Sequence, residues 1–168
     1  MRIVAWALLL LCSFAVTAGR EPARRVIEVS TAEELMAAVR EPLENVTVKL
    51  APGTYELVPR DSFEREHIVG SDDVVPLIAV DPDDVGRVAL KISGNMARLV
   101  GPQYGEAVVV TRAGAGIYFK DCNDCGVERL TITGGVHDRP FGPHDGAIVV
   151  RRSSVRVSNC VIRQNIGD

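Results

Sequence analysis

Beyond residue 76 the chain runs as a succession of short β-rich segments with no helical pattern between them. They are Leu77–Val80, Val88–Ile92, Ala97–Val100, Ala107–Thr111, Gly116–Phe119, Val127–Thr133, Ala147–Val150 and Val155–Ile162. Gly, Asn or Asp punctuates the gaps. Strands this short and this evenly spaced point to a stacked repeat rather than a wide sheet. Cys125-Gly-Val127-Glu-Arg-Leu130-Thr-Ile132-Thr-Gly-Gly135 aligns with Val155-Arg-Val157-Ser-Asn-Cys160-Val-Ile162-Arg-Gln-Asn165. The offset is about 30 residues, in the range of solenoid repeats. Val127 falls on Val157, Leu130 on Cys160 and Ile132 on Ile162. Upstream, Gly116–Phe119 is set against Gly146–Val149, with a one-residue slip before the second half. In a repeat of this kind inward residues stack on their equivalents one repeat away and bury a continuous apolar column.

The part before the repeats reads differently. Val26–Val29 is a short strand, and Ser30 or Thr31 can cap a helix with Glu33 or Glu34 completing a capping box. Leu35, Met36 and Val39 keep helical spacing up to Pro42. Val46–Leu50 alternates as a strand and is stopped by the Pro52-Gly53 turn signal.

Ile3–Val16 is almost wholly apolar, follows Arg2 and ends in Val16-Thr17-Ala18-Gly19. This is the pattern of a signal peptide cleaved after Ala18, and the run is too short to span a bilayer. Leu11 before Cys12 argues against lipidation. The expected organisation is a signal at 1–18, a charged leader at 19–25 and one domain from 26 to 168, incomplete at its C-terminus. The last segment ends in mid-pattern without a capping element, so either the chain is a fragment, the favoured reading, or that end self-associates with another chain. The expected location is secreted, periplasmic or cell-surface. Without Arg2 the chain carries 18 basic and 22 acidic residues, −4, which argues against nucleic acid as partner. No further stretch is long and apolar enough to cross a membrane.

The residues Ile27–Leu35 and Val48-Lys-Leu-Ala-Pro-Gly-Thr-Tyr55 resemble the opening of the pectate-lyase-like superfamily. Leu130–Gly135 and Val157–Asn165 resemble its repeat coils. The resemblance covers most of the mature chain. It implies an all-β fold, a right-handed parallel β-helix with a short N-terminal capping helix, in which Leu35 and Val39 lie on the open first coil. It is specific for fold and poor for activity, because the superfamily holds lyases, hydrolases, epimerases and adhesins.

Function is therefore sought in the loops. The insertion His137-Asp138-Arg139-Pro-Phe-Gly-Pro-His144-Asp145 is the most polar candidate, and its His137, Asp138, Arg139, His144 and Asp145 are the expected substrate-binding residues. Arg139 suits a uronate carboxylate, since its planar fork matches that group. The competing reading is a solvated turn shaped by Pro and Gly. Arg151, Arg152, Arg156 and Arg163 form a second basic set, read first as a solvated edge. Asn123, Asn159 and Asn165 are read as structural turn residues, of the kind that stack in ladders. The aspartates of 61–84 suit calcium as a cofactor but lack the spacing of a known calcium loop. Asn45-Val-Thr47 is a glycosylation sequon that matters in a eukaryotic host. Cys122, Cys125 and Cys160 read as small buried residues, two of them candidates for a disulfide of undetermined pairing. The expected partner is an acidic polysaccharide, bound or cleaved by a lyase or hydrolase reaction. The alternatives are a non-catalytic surface or glycan-binding β-helix, and a structural scaffold.

Overall fold

The computed structural model describes residues 23–61, 87–137 and 146–166. The signal, most of the leader, Leu77–Val80 and the aspartates from Asp72 to Asp84 lie outside the described residues. So do Asp138, Arg139, His144 and Asp145.

The described chain is mostly β with one short helix. A first strand, β1 (Arg25–Val29), leads into α1 (Ala32–Ala38). The side chain of Thr31 accepts from the Glu34 N–H, and Glu34 answers to the cap backbone, a complete capping box. The helix stops before Val39, three residues short of the boundary expected at Pro42. Three strands then recur in fixed order. The first round is β2 (Leu43–Glu44), β3 (Val46–Leu50) and β4 (Gly53–Glu56). After β5 (Arg60–Asp61) comes β6 (Arg87–Asn95), β7 (Arg98–Val100) and β8 (Ala107–Val110). The third round is β9 (Ala115–Asn123), β10 (Cys125–Glu128) and β11 (Thr131–Thr133). The last is β12 (Gly146–Arg151), β13 (Val155–Ser158) and β14 (Val161–Ile162).

Each strand pairs in parallel with its counterparts in neighbouring rounds. The first sheet runs β1-β3-β7-β10-β13, the second β4-β8-β11-β14 and the third β2-β6-β9-β12. Only the β5–β6 pair is antiparallel among the described residues. The expected alignment of Cys125–Ile132 with Val155–Ile162 is the register found, Val127 on Val157 and Ile132 on Ile162.

Two expectations are corrected. Val127–Thr133 and Val155–Ile162 are each two strands, broken at Arg129 (φ 55°) and Asn159 (φ 53°). A single left-handed residue turns the chain from the first sheet to the second, at a cost of about 1–2 kcal/mol for a side chain with no local way to stabilise it. The turn is held by the Arg129 N–H donating to the Ser158 carbonyl at 3.2 Å. Further, Gly116–Phe119 does not sit on Gly146–Val149, because Ile117 pairs with Ile148 and Phe119 with Val150. The third round carries one extra residue. The β6–β9 register jumps between Ile92 and Gly94, and Asp121 (φ 52°) absorbs the insertion. Such a bulge bends one strand without disturbing the next round. Cys122 and Cys125, joined in a disulfide, close the turn that follows it. Cys160 is a half-buried thiol.

The core is made of columns. Val48, Leu99, Val127 and Val157 are in register on the first sheet, Tyr55, Val109, Ile132 and Ile162 on the second, and Ile92, Phe119 and Val150 on the third. All are buried except those of the last round, where Val150, Val157 and Ile162 are 44–50% exposed. At the other end α1 packs on β1, β3 and β4 and buries Leu35. The hydroxyl of buried Tyr55 lies 3.0 Å from the Val29 carbonyl and 2.9 Å from that of Ala51, donating to one at a time. Tyr55→Phe should cost about 1–2 kcal/mol, the usual penalty for a lost buried hydrogen bond. Urea unfolding measures it, and an unchanged midpoint would show that water serves these carbonyls equally well.

Candidate functional site

Both internal segments outside the described residues, 62–86 and 138–145, are inserted where the chain returns to the third sheet, before β6 and before β12. The second insertion leaves at Val136, whose N–H donates to the Ala113 carbonyl at 3.2 Å, and returns at Gly146, whose N–H donates to the Gly114 carbonyl at 2.7 Å. Of the residues expected to bind substrate, His137 alone is described, half-buried at the root of this insertion.

The outer face of the third sheet is basic. Leu90, Ile92, Ile117, Phe119, Ile148 and Val150 share registers on the inner face. Strand alternation therefore sends Lys91, Lys120 and Arg151 outward. Arg151 is in register with Lys120, and Lys91 lies one round back beside Tyr118. In the column Lys91, Tyr118, Val149 the side chain of Tyr118 is buried, packed with Val88, Ala115 and Val149. Adjacent strands are about 4.8 Å apart, so Arg151 lies one such step from Lys120, while Lys91 lies one strand back and two residues along.

The four arginines expected as one basic set do not gather. Arg152 reaches Asp121 with Nε and Nη2 at 2.7 and 3.1 Å. Arg163 approaches Glu106 at 3.9 Å from the second sheet. Arg156 lies on the first sheet in register with Gly126. Arg151 alone belongs to the basic face. The three asparagines are also scattered, Asn123 at the end of β9, Asn159 between the first and second sheets and Asn165 beyond β14. Asn123 stacks on Asn95, whose amide donates to Glu44 at 3.0 Å. The side chain of Asn165 accepts from the Gly135 N–H at 2.9 Å.

Two clefts can be compared by their charges. One, of about 540 Å³, is lined by Glu28, Ser30, Glu34, Lys49, Gly101 and Arg129 among others. Its charges are of both signs. Glu28 is in register with Lys49, Arg129 binds Glu128, and Glu34 accepts from Ser30 and Thr31. Those bonds, the Ser30 backbone first, hold the Glu34 carboxyl below the ordinary carboxylate range. The other, of about 470 Å³, lies between the end of α1 and β6, with Met36, Val39, Pro42 and Ala89 on its walls. It is lined by Arg40, Arg60 and Lys91. Among the described residues none of these three makes an ion pair. They come from a helix end, a two-residue strand and a long strand, and no sequence signal links them.

On the first sheet Arg98 donates to the Asp124 backbone carbonyl and, at 2.8 Å, to its carboxylate. The Arg98 hydrogen bond and then its charge hold the Asp124 carboxyl below its ordinary value. A depressed folded value means stabilisation present above the unfolded value and lost as pH falls through the folded one. Arg98→Ala should raise the Asp124 midpoint, read from the carboxyl carbon shift in an acid titration. An unmoved midpoint would mean the pair does not form in solution.

Among the described residues no group of three or more His, Cys, Asp or Glu is placed to hold a metal ion, and no helix is long and apolar enough to cross a membrane. Comparison with known proteins finds no matching family model, curated protein or solved structure.

Proposed function

We propose that this is an exported right-handed parallel β-helix of the pectate-lyase-like kind, and that it holds an acidic polysaccharide against the outer face of its third sheet. The observation that carries the reading is the cationic row Lys91, Lys120 and Arg151, set out by strand alternation. Recurrence of three parallel strands per round supports the β-helix. A regularly charged polymer suits such a row better than a small anion, because each round offers it one contact. Arginine grips a carboxylate through two parallel bonds and lysine as a point charge. The His137–Asp145 insertion arises where the chain re-joins this sheet and is the place to look for reacting groups. Lyase or hydrolase chemistry, with calcium as the natural counter-ion in a uronate site, belongs to this reading as its second stage.

The test is retention on immobilised pectate, alginate and chondroitin. The full chain should be retained and released by salt. Lys120→Glu with Arg151→Glu should weaken retention about tenfold or more, since like charge is placed against like at two contacts. Equal retention by the variant, or none by the parent on all three matrices, refutes the reading. Release of unsaturated, ultraviolet-absorbing products would identify a lyase, and binding without turnover a glycan-binding module.

A further inference from the structure

We infer that the cleft between α1 and β6 takes a strand from an acidic peptide, which pairs with the open edge of β6. The argument starts from how little of that edge is used. β5 meets β6 at two residues, Arg60 on Val88 and Asp61 on Arg87. β2 meets it at two more, Leu43 on Gly94 and Glu44 on Asn95. Between them Ala89–Ser93 has β9 on one side and no strand on the other among the described residues. The chain before β2 turns away into α1 instead of continuing along β6, and this divergence opens the cleft. Five residues of strand make an edge about 17 Å long.

The cleft follows this edge and not one face of the strand. Val88, Ala89, Leu90, Lys91 and Ser93 all line it, although neighbouring residues in a strand point to opposite faces. What they have in common is backbone. Unpaired N–H and C=O groups along a strand are a template for another strand, and peptides bind to many proteins in this way.

Charge selects among such peptides. Arg40, Arg60 and Lys91 line the cleft, and none of them forms an ion pair among the described residues. Met36, Val39 and Pro42 offer an apolar wall opposite the strand. A ligand with alternating acidic and apolar side chains satisfies both, carboxylates toward the cations and apolar groups against α1. A basic peptide would be repelled. This inference shares Lys91 with the glycan reading but rests on Arg40, Arg60 and the backbone of β6, where that reading rests on Lys120 and Arg151, and neither test changes Lys91.

The probe is a blocked hexapeptide of alternating Val and Glu, titrated calorimetrically into the full chain. Hydrogen exchange is followed at Ala89–Ser93 in parallel. Binding with slowed exchange in that stretch is expected. Methylating alternate peptide nitrogens should abolish it, and Arg40→Glu with Arg60→Glu should weaken it more than tenfold. Both arginines are exposed, so the variant should fold as the parent does. The inference is overturned by absence of binding at about 1 mM, by binding that survives N-methylation, or by binding that leaves exchange at Ala89–Ser93 unchanged. The last two would mean that charge alone attracts the peptide. Failure of the glycan reading is measured separately, on the Lys120→Glu and Arg151→Glu variant and the polysaccharide matrices.

Discussion

Replacing Gly94 with alanine should destabilise the protein by about 4 kcal/mol, near the top of the range for a single substitution. Gly94 has φ +108°, a conformation that L side chains rarely adopt. A Cβ there would lie 2.1 Å from the Leu43 carbonyl oxygen and 2.6 Å from its nitrogen. Both are backbone atoms of β2, so no side-chain rotation relieves the contact. β2 would have to leave β6, taking with it the segment that connects α1 to the first round. Gly146 provides the control. It also lies in a strand of the third sheet, but its nearest neighbours to an added Cβ are 3.5 Å away. Gly146→Ala should be neutral within about 0.5 kcal/mol. Urea unfolding of both variants decides the matter, and equal midpoints would show that β2 does not approach β6 this closely.

The second large effect is expected at Phe119, which is wholly buried between Ile92 and Val150 on the third-sheet column. Phe119→Ala should cost about 3–4 kcal/mol, the transfer loss plus a cavity that flanking strands cannot collapse to fill. Val150 occupies the next position of the same column and is 44% exposed. Val150→Ala should cost less than about 1 kcal/mol, since little area returns to water. The contrast within one column tests whether apolar side chains of the last round are as open in solution as in the structure. Similar losses at both positions would mean that something covers Val150.

The first and last described rounds differ in how they are covered. α1 is legible because its signals are local. Thr31 and Glu34 are three residues apart, and Leu35 and Val39 four apart. In the last described round the apolar residues Val157, Ile162 and Ile166 are exposed.

What the sequence determined by itself was the alternation and the period. Strand β3 has the bounds its pattern implies, and the alignment of Cys125–Ile132 with Val155–Ile162 is the register of the first and second sheets. Alternation alone puts Lys91, Lys120 and Arg151 in the outward phase once the inner residues are known. Only the tertiary structure decided where the chain turns and which distant groups meet. Met96, Arg112, Arg129, Arg152 and Gln164 all take positive φ, though none carries a turn signal. The conformation is imposed by the neighbouring round, as when Arg112 N–H donates to Gly134 O and Gly134 N–H to Gln164 O. The extra residue of the third round makes its offset to the last round 31 residues on the third sheet and 30 on the first, since Ile117 meets Ile148 while Val127 meets Val157. The cleft of Arg40, Arg60 and Lys91 exists only because β5 and β2 each pair with β6 over two residues. Helix caps and strand alternation depend on atoms a few residues apart, so composition and spacing reveal them. Turn positions, register slips and clefts depend on bonds between rounds, which appear only when the strands are paired.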